Sequence, residues 1–217
     1  MPDLVSPLEE KLRGLYGPDE DLSLRATAGG LWHATPLGVL GATVAALAET
    51  GLLVPGALLF DAGMGDGRVL AALALGLPAA LRPRLAGLES DEDLAREARR
   101  RLHALEAGTR TAGSLRVARG DYFHPRYHEA LGHRPSDLDL VFNYPDGNES
   151  RLLEWLGAHG KPTSRLVIVG PDRDPRPGCP PLLLREVRPA GSDVAWTLAV
   201  FVPPWRPPVR APGTSTE

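Results

Sequence analysis

The sequence contains few of the residues that mark disulfide, zinc or membrane proteins. Cys179 is the single cysteine among 217 residues, so no disulfide can form within the chain, and a cysteine-based zinc site is disfavoured. No apolar run approaches the length of a membrane span, and the first residues do not form a basic-then-apolar signal sequence. We therefore expect a cytoplasmic protein without a membrane partner and without a bound metal.

The sequence also lacks a large excess of positive or negative charge. The formal net charge is −3 at pH 7, and Lys11 and Lys161 are the only lysines among 24 basic residues. This balance argues against extensive contact with nucleic acid. The apolar fraction of 43 % and the length are ordinary for one globular domain.

A glycine-rich stretch stands out at residues 58–73, which read LLFDAGMGDGRVLAAL. An apolar run typical of a buried strand ends at Asp61. Gly63, Gly65 and Gly67 follow at alternate positions, and an apolar-periodic segment typical of a helix comes next. Glycine allows close backbone approach and positive φ, and a helix N-terminus offers free N–H groups. The stretch predicts a ligand cradle at the carboxyl edge of a sheet.

The pattern Asp-x-Gly-x-Gly-x-Gly resembles the first motif of the class I methyltransferases, which use S-adenosylmethionine (SAM). The dinucleotide fingerprint would need a third glycine where Arg68 stands, so a nicotinamide-dependent oxidoreductase is disfavoured. A carboxylate at Asp61 would also repel phosphate but attract the ammonium of a bound amino acid. The resemblance implies SAM as the cofactor, contacted by Asp61, Gly63, Gly65 and Gly67.

The resemblance also implies an α/β fold, a doubly wound seven-stranded mixed sheet with a C-terminal antiparallel hairpin. Alternating strand and helix patterns favour the same architecture independently. We assign residues 31–202 to this domain, residues 1–30 to a short helical N-terminal extension or lid, and residues 203–217 to a disordered proline-rich tail.

Two further strands end in candidate cofactor residues. The predicted strand at 85–88 ends at Glu89, near the spacing at which an acidic residue bonds a ribose hydroxyl. A carboxylate can accept both ribose O–H groups. After the predicted strand at 115–118, the resemblance implies that Asp121 meets the adenine amino group and that Tyr122 lines the adenine pocket. His124, His128 and His133 follow without metal-ligand spacing and are expected to be solvated loop residues.

The fourth predicted strand ends in Asn143-Tyr144-Pro145-Asp146-Gly147. In the resembling family this position holds the reacting group of the substrate, so Asn143, Tyr144 and Asp146 are the candidate catalytic residues, with Asn143 also facing the cofactor. The amino-directed pattern Asn/Asp-Pro-Pro-aromatic is not kept. A faint resemblance to transfer-RNA guanine methyltransferases lacks their basic surroundings. The stretch is equally typical of a turn.

The N-terminal part predicts a helix that begins after Ser6, with capping-box spacing, and a polar irregular segment from Gly17 to Gly30. Trp32, His33 and Thr35 come before the glycine stretch and are candidates for the substrate or lid wall. Thr35 is also a plausible N-cap of the next helix.

Later in the chain, Ser90 is expected to cap the helix that follows Glu89. Residues 171–181 form a proline-rich connection or a loop over the site. Two strands at 182–187 and 194–202 predict the terminal hairpin.

These features predict methyl transfer from SAM to a nitrogen or oxygen of a protein side chain or small molecule. A non-catalytic SAM-binding or scaffold protein of the same fold is the alternative. An RNA methyltransferase and a nicotinamide-dependent oxidoreductase are less favoured, and the sequence does not determine the oligomeric state.

Overall fold

The computed structural model describes residues 6–17, 25–27, 30–108, 115–171, 179–189 and 192–204. The helices are α1 (Pro7–Tyr16), α2 (Leu37–Ala48), α3 (Arg68–Gly76), α4 (Glu92–Gly108), α5 (Pro125–Ala130) and α6 (Glu149–His159). The strands are β1 (Arg25–Thr27), β2 (Gly30–Trp32), β3 (Leu58–Ala62), β4 (Arg84–Glu89), β5 (Leu115–Arg119), β6 (Leu140–Asn143), β7 (Arg165–Gly170), β8 (Leu183–Val187) and β9 (Trp196–Phe201).

Seven strands form one twisted sheet in the order β5-β4-β3-β6-β7-β9-β8. Neighbouring strands from β5 to β7 are parallel, and β9 runs antiparallel to both β7 and β8. The prediction of a seven-stranded mixed sheet with a C-terminal hairpin is confirmed. The strand order reverses between β3 and β6, which is the switch point where open α/β sheets bind ligands.

Each face of the sheet is buried under helices. Leu58, Phe60 and Ala62 of β3 pack into one cluster with buried residues of α6, whereas Leu59 packs into the other with buried residues of α2, α3 and α4. Because successive side chains of a strand point to opposite faces, Asp61 points to the same face as Leu59, beneath α2 and α3.

The first helix begins as the sequence predicts. Ser6 is the N-cap of α1 and its hydroxyl accepts the N–H of Glu9 at 3.2 Å. The helix packs on α2 and α3, and Leu12 is fully buried there. Between α1 and α2, the segment predicted to be irregular contains a short antiparallel pair, in which Arg25 faces Trp32 across β1 and β2.

The predicted cap of α2 is wrong. The helix begins at Leu37, Pro36 holds the N-cap position, and no side chain bonds to the free N–H groups there. Thr35 is instead buried, and its carbonyl accepts a hydrogen bond from Arg68 at 3.0 Å. A residue before proline prefers an extended backbone, which suits this placement.

The predicted cap of α4 is wrong as well. The Asp91 carboxylate accepts the N–H groups of Asp93 and Leu94, each at 3.0 Å, and so performs the capping. The Ser90 hydroxyl donates to Glu89 at 3.3 Å instead. The helix begins at Glu92, so Asp91 and not Ser90 occupies the N-cap position.

Two histidines predicted to be solvated are buried. His128, on α5, is fully buried, and His133 is 6 % exposed. Their ring nitrogens Nδ1 and Nε2 lie 3.1 Å apart, and His128 Nε2 lies 2.8 Å from the carbonyl oxygen of Tyr122. Neutral rings can be buried when both nitrogens find partners in this way.

Within the ranges described, no helix is both long enough and apolar enough to cross a membrane. The predicted tail lies outside the described residues beyond Pro204, as do positions 172–178 of the proline-rich connection. The same holds for several positions of the N-terminal extension.

Candidate functional site

A cavity of about 480 Å³ opens at the carboxyl ends of β3, β4 and β6. Ten of the thirteen sequence-predicted site residues line it: Trp32, His33, Thr35, Asp61, Gly63, Glu89, Tyr122, Asn143, Tyr144 and Asp146. The structure therefore brings together residues from both sides of the glycine stretch and from three strands.

The glycine turn needs its glycines. Gly63, Gly65 and Gly67 have φ values of +76°, +55° and +82°, in the left-handed region that favours glycine. Gly67 lies against α4, since a Cβ there would come within 2.9 Å of Leu102. Gly65 and Gly67 do not line the cavity themselves. They shape the turn that does.

Asp61 is a nearly buried carboxyl group at the end of β3. It is 3 % exposed, and its Oδ2 has no hydrogen-bond partner among the described residues. Burial raises the pKa of Asp61 to about 8, with further contributions from the charges of Glu89 and Asp66. An unpartnered carboxylate oxygen in such a setting favours a ligand cation, which would offset its desolvation.

Glu89 is held in place by the glycine turn. Its Oε2 accepts the N–H of Gly65 at 2.9 Å and its Oε1 accepts the N–H of Asp91 at 2.8 Å. The Ser90 hydroxyl donates to the same carboxylate, which has about four acceptor positions, so these bonds orient Glu89 and leave about one position open. The side chain lines the cavity and is 7 % exposed.

Asn143 ends β6 beside Asp61. Its side-chain N–H group donates to the carbonyl of Ala62 at 3.1 Å, which leaves Oδ1 as an acceptor. That oxygen is buried and has no partner within the described part of the chain. Asn143 and Asp61 thus both present unpartnered acceptor oxygens among the residues of one cavity.

An ion-pair network inside the glycine turn was missed from the sequence. Asp66 is 2 % exposed and pairs with Arg68 at 2.8 Å and with Arg101 of α4 at 2.5 Å. Arg68 also reaches the carbonyl of Thr35, and it lies over the ring of Tyr16 from α1. The network joins the turn to α1, α4 and the segment before α2.

Only part of that network has a sequence signal. The charged positions Asp66 and Arg68 sit between glycines and apolar residues, which marks them as unusual. Arg101 lies on α4, 35 positions after Asp66, and no local sequence pattern connects the two residues. This pairing follows from the packing of α4 against the turn.

Trp32 covers the glycine turn from the N-terminal side. A Cβ built on Gly65 would collide with the indole Nε1 of Trp32. The guanidinium groups of Arg25 and Arg68 lie 5.7 and 5.8 Å from the centroid of the indole ring. The indole is therefore fixed between two cations and the backbone of the turn.

Two polar pairs line the cavity nearer its mouth. The Tyr144 hydroxyl lies 3.4 Å from His33 Nδ1, and the two rings stack with centroids 5.9 Å apart. The Tyr122 hydroxyl donates to Asp146 at 3.4 Å. Burial and the nearby Asp146 charge raise the pKa of Tyr122, so this hydroxyl stays protonated at neutral pH.

Asp121 does not line the cavity. Its side chain is exposed, and the carboxylate accepts the N–H of Phe123 at 2.9 Å in a local turn. Its proposed contact with an adenine amino group stays a prediction.

No protein-family model and no curated protein matches the sequence. Solved structures do match the fold. A geranyl diphosphate C-methyltransferase from Streptomyces coelicolor, crystallised with S-adenosyl-L-homocysteine, is 14 % identical, with a TM-score of 0.55 over 92 % of this chain and 93 % of that one. A precorrin-6y C5,15-methyltransferase from Geobacter metallireducens is 16 % identical, with a TM-score of 0.51 over 86 % and 96 %.

The mitomycin 7-O-methyltransferase MmcR is 20 % identical, with a TM-score of 0.48 over 77 % of this chain, which spans only 54 % of that one. The first two likenesses establish that this chain has the fold of class I SAM-dependent methyltransferases. The low identities leave substrate and acceptor atom open.

Proposed function

We propose that the protein is a SAM-dependent methyltransferase that methylates a nitrogen or oxygen nucleophile. The observation that carries this proposal is a row of acceptor side chains at the ends of three adjacent parallel strands. Glu89 and Asn143 end β4 and β6, and Asp61 is the residue before the last in β3, next to a glycine turn with positive φ values. This arrangement suits a ligand that carries an ammonium group and a sugar.

The donors of SAM match these acceptors. Its ammonium would bond the unpartnered oxygens of Asp61 and Asn143. The positive charge would lower the pKa of Asp61 from its raised value. A ribose hydroxyl would donate to the acceptor position of Glu89 that remains open, and a second could replace the long bond from Ser90. Tyr122, whose ring carbon Cε1 is 3.8 Å from a Cβ built on Gly63, offers an aromatic wall for the base. Asp121 is proposed only for the edge of that pocket.

Bound SAM supplies a methyl group already activated by its sulfonium. The protein then has to align the acceptor and exclude water. Trp32 and Thr35 cover the glycine turn from the N-terminal side, as a lid segment would. A neutral nitrogen or oxygen acceptor must lose a proton as it gains the methyl group. His33 and Tyr144 form the polar pair proposed to hold or pass that proton, with Asp146 alongside.

Calorimetric titration with S-adenosyl-L-homocysteine tests the cofactor. We expect a Kd of about 1 µM or below, a binding free energy near −8 kcal/mol, and no binding of NAD. Asp61→Ala and Glu89→Ala should each weaken binding at least tenfold, since each removes a buried acceptor of the ligand. Glu10→Ala, at an exposed position of α1, is the control. Unchanged affinity in both site variants would refute this placement.

Turnover separates the enzyme from a non-catalytic SAM-binding protein. Incubation with methyl-labelled SAM and pools of small molecules or proteins should label an acceptor, and the label should be lost in Asp61→Ala. Tight cofactor binding with no labelling in any pool would favour the non-catalytic alternative.

A further inference from the structure

The cavity extends beyond the residues proposed to hold the cofactor. Helix α2 contributes Leu40, Thr43 and Val44, and helix α3 contributes Val69, Ala72 and Leu73. Each set follows the spacing i, i+3, i+4, so each forms one face of its helix. The two faces lie near Phe142 of β6 and Val169 of β7, which also line the cavity, and we call this mainly apolar end of the cavity the recess.

The recess is apolar except for one hydroxyl group. Thr43 is 4 % exposed, and its Oγ1 has no hydrogen-bond partner in the described part of the chain. A threonine inside a helix can bond the carbonyl four residues earlier, and a buried polar group left unpaired destabilises the fold. A ligand with one polar group at this depth would satisfy Thr43.

Charge restricts which ligands can enter. The carboxyl and guanidinium side chains that line the cavity are Asp61, Asp66, Glu89, Asp146 and Arg68. Arg68 is ion-paired with the buried Asp66, and Asp61, with its pKa raised to about 8, is largely uncharged at neutral pH. Glu89 and Asp146 therefore leave the lining negative, which disfavours phosphorylated or carboxylate acceptors.

We propose that the recess between α2 and α3 is the acceptor subsite, and that the acceptor is a small uncharged molecule. Its apolar body would lie between the two helices, and one polar group would hydrogen-bond Thr43. This inference rests on the proposed methyl transfer, since it assigns the space that the cofactor residues at the strand ends leave free. It selects a small molecule over a protein side chain.

Three probes of one shape test the subsite by ligand-detected NMR in the presence of saturating S-adenosyl-L-homocysteine. 4-Ethylphenol is uncharged and carries a hydroxyl group, ethylbenzene lacks the hydroxyl, and 4-ethylbenzoate is an anion. We expect 4-ethylphenol to bind at least fivefold more tightly than ethylbenzene, and 4-ethylbenzoate not to bind.

Variants locate the probe. Val69 is the half-buried member of the α3 face, so Val69→Phe fills the recess and should abolish binding of both neutral probes. Thr43→Val keeps the shape but removes the hydroxyl, so it should weaken 4-ethylphenol about fivefold to tenfold and leave ethylbenzene unchanged. Ala45→Leu, exposed on α2, and Thr50→Val, whose hydroxyl donates to the carbonyl of Leu47, are the matched controls.

The outcomes separate the two proposals. If the wild-type protein does not bind S-adenosyl-L-homocysteine, the proposed function fails. If it does, but 4-ethylphenol does not bind or binds equally well to Thr43→Val, the acceptor subsite is wrong and the proposed function stands. Val69→Phe is compared only if it keeps its cofactor affinity and circular dichroism spectrum, and the near-isosteric Thr43→Val decides otherwise.

Discussion

At the scale of single residues, Asp61 combines a proposed binding role with an opposing effect on stability. Its pKa is raised to about 8 in the folded protein and returns to the ordinary value of 3.8 on unfolding. The unfolded chain therefore ionises first as the pH rises. Stability contributed by the protonated carboxyl is complete below pH 3.8 and is lost as the pH rises toward 8.

Asp61→Asn should therefore stabilise the protein without ligand, and more so at pH 8.5 than at pH 5. The amide keeps the shape of the protonated carboxyl but cannot ionise, so the penalty of a few kcal/mol at high pH disappears. Thermal melting of both proteins at the two pH values measures the effect. Asp121→Asn, at an exposed position, is the control. A melting difference that does not grow with pH would contradict the raised pKa.

At the scale of elements, the glycine turn and the strand β2 depend on each other. Trp32 ends β2 and lies directly on Gly65, so the turn has room for a hydrogen atom but not for a side chain. Gly51 also has a positive φ, of +71°, but a Cβ there would meet nothing within 4 Å. Comparing the same substitution at these two glycines therefore separates the cost of the backbone conformation from the cost of the contact with Trp32.

Gly65→Ala should destabilise the protein more than Gly51→Ala. Both substitutions incur about 1–2 kcal/mol for a left-handed residue with a side chain, and only the first also collides with Trp32. In a double-mutant cycle by urea denaturation, Trp32→Ala should recover the excess in Gly65→Ala. Equal losses in the two alanine variants, or strict additivity with Trp32→Ala, would show that the contact has no energetic effect.

At the scale of the whole molecule, a buried histidine pair connects a strand of the sheet with two helices that cover it. The ring of His128 on α5 lies 4.8 Å from that of Phe60 in β3 and 5.3 Å from that of Trp155 in α6. Burial lowers the pKa of His133 to about 4, and it also lowers that of His128. Both rings are therefore neutral in the folded protein at neutral pH, and unfolding below pH 6.5 takes up protons.

The contribution of His133 to the free energy of unfolding should fall by on the order of 2 kcal/mol as the pH drops from 6.5 to 4, whereas the contribution of Asp61 rises over the same range. His133→Asn cannot take up this proton, so its stability should fall less, or rise more, than that of the wild-type protein as the pH drops. Urea denaturation at pH 7, 5.5 and 4.5 measures both slopes. The exposed His103→Asn should keep the wild-type slope. Identical slopes for all three proteins would exclude the histidine pair as a source of acid sensitivity.

The sequence predicts most of the sheet because its strands are local patterns. Glu89 and Asn143 lie at strand ends, and the spacing of apolar residues along the chain is enough to locate those ends. The cap of α2 and the burial of His128 could not be predicted, since they depend on Arg68 and Phe60, which are distant in sequence. Thr43 was missed for a different reason. The sequence does not show which hydroxyl within an apolar helix lines a cavity. Only the placement of α2 opposite α3 in the structure shows this for Thr43.

The order of the strands has a consequence for protein synthesis. The strand β3 lies between β4 and β6, and Leu58 donates its N–H to the side chain of Asp139, 81 positions later. The bond from Asn143 to the carbonyl of Ala62 spans the same distance along the chain. A ribosome-bound chain that ends before Asn143 therefore has the glycine turn but lacks one of its walls. In the proposed function, the site that holds the cofactor is accordingly complete only once β6 has emerged, so the nascent chain would bind the cofactor late in translation.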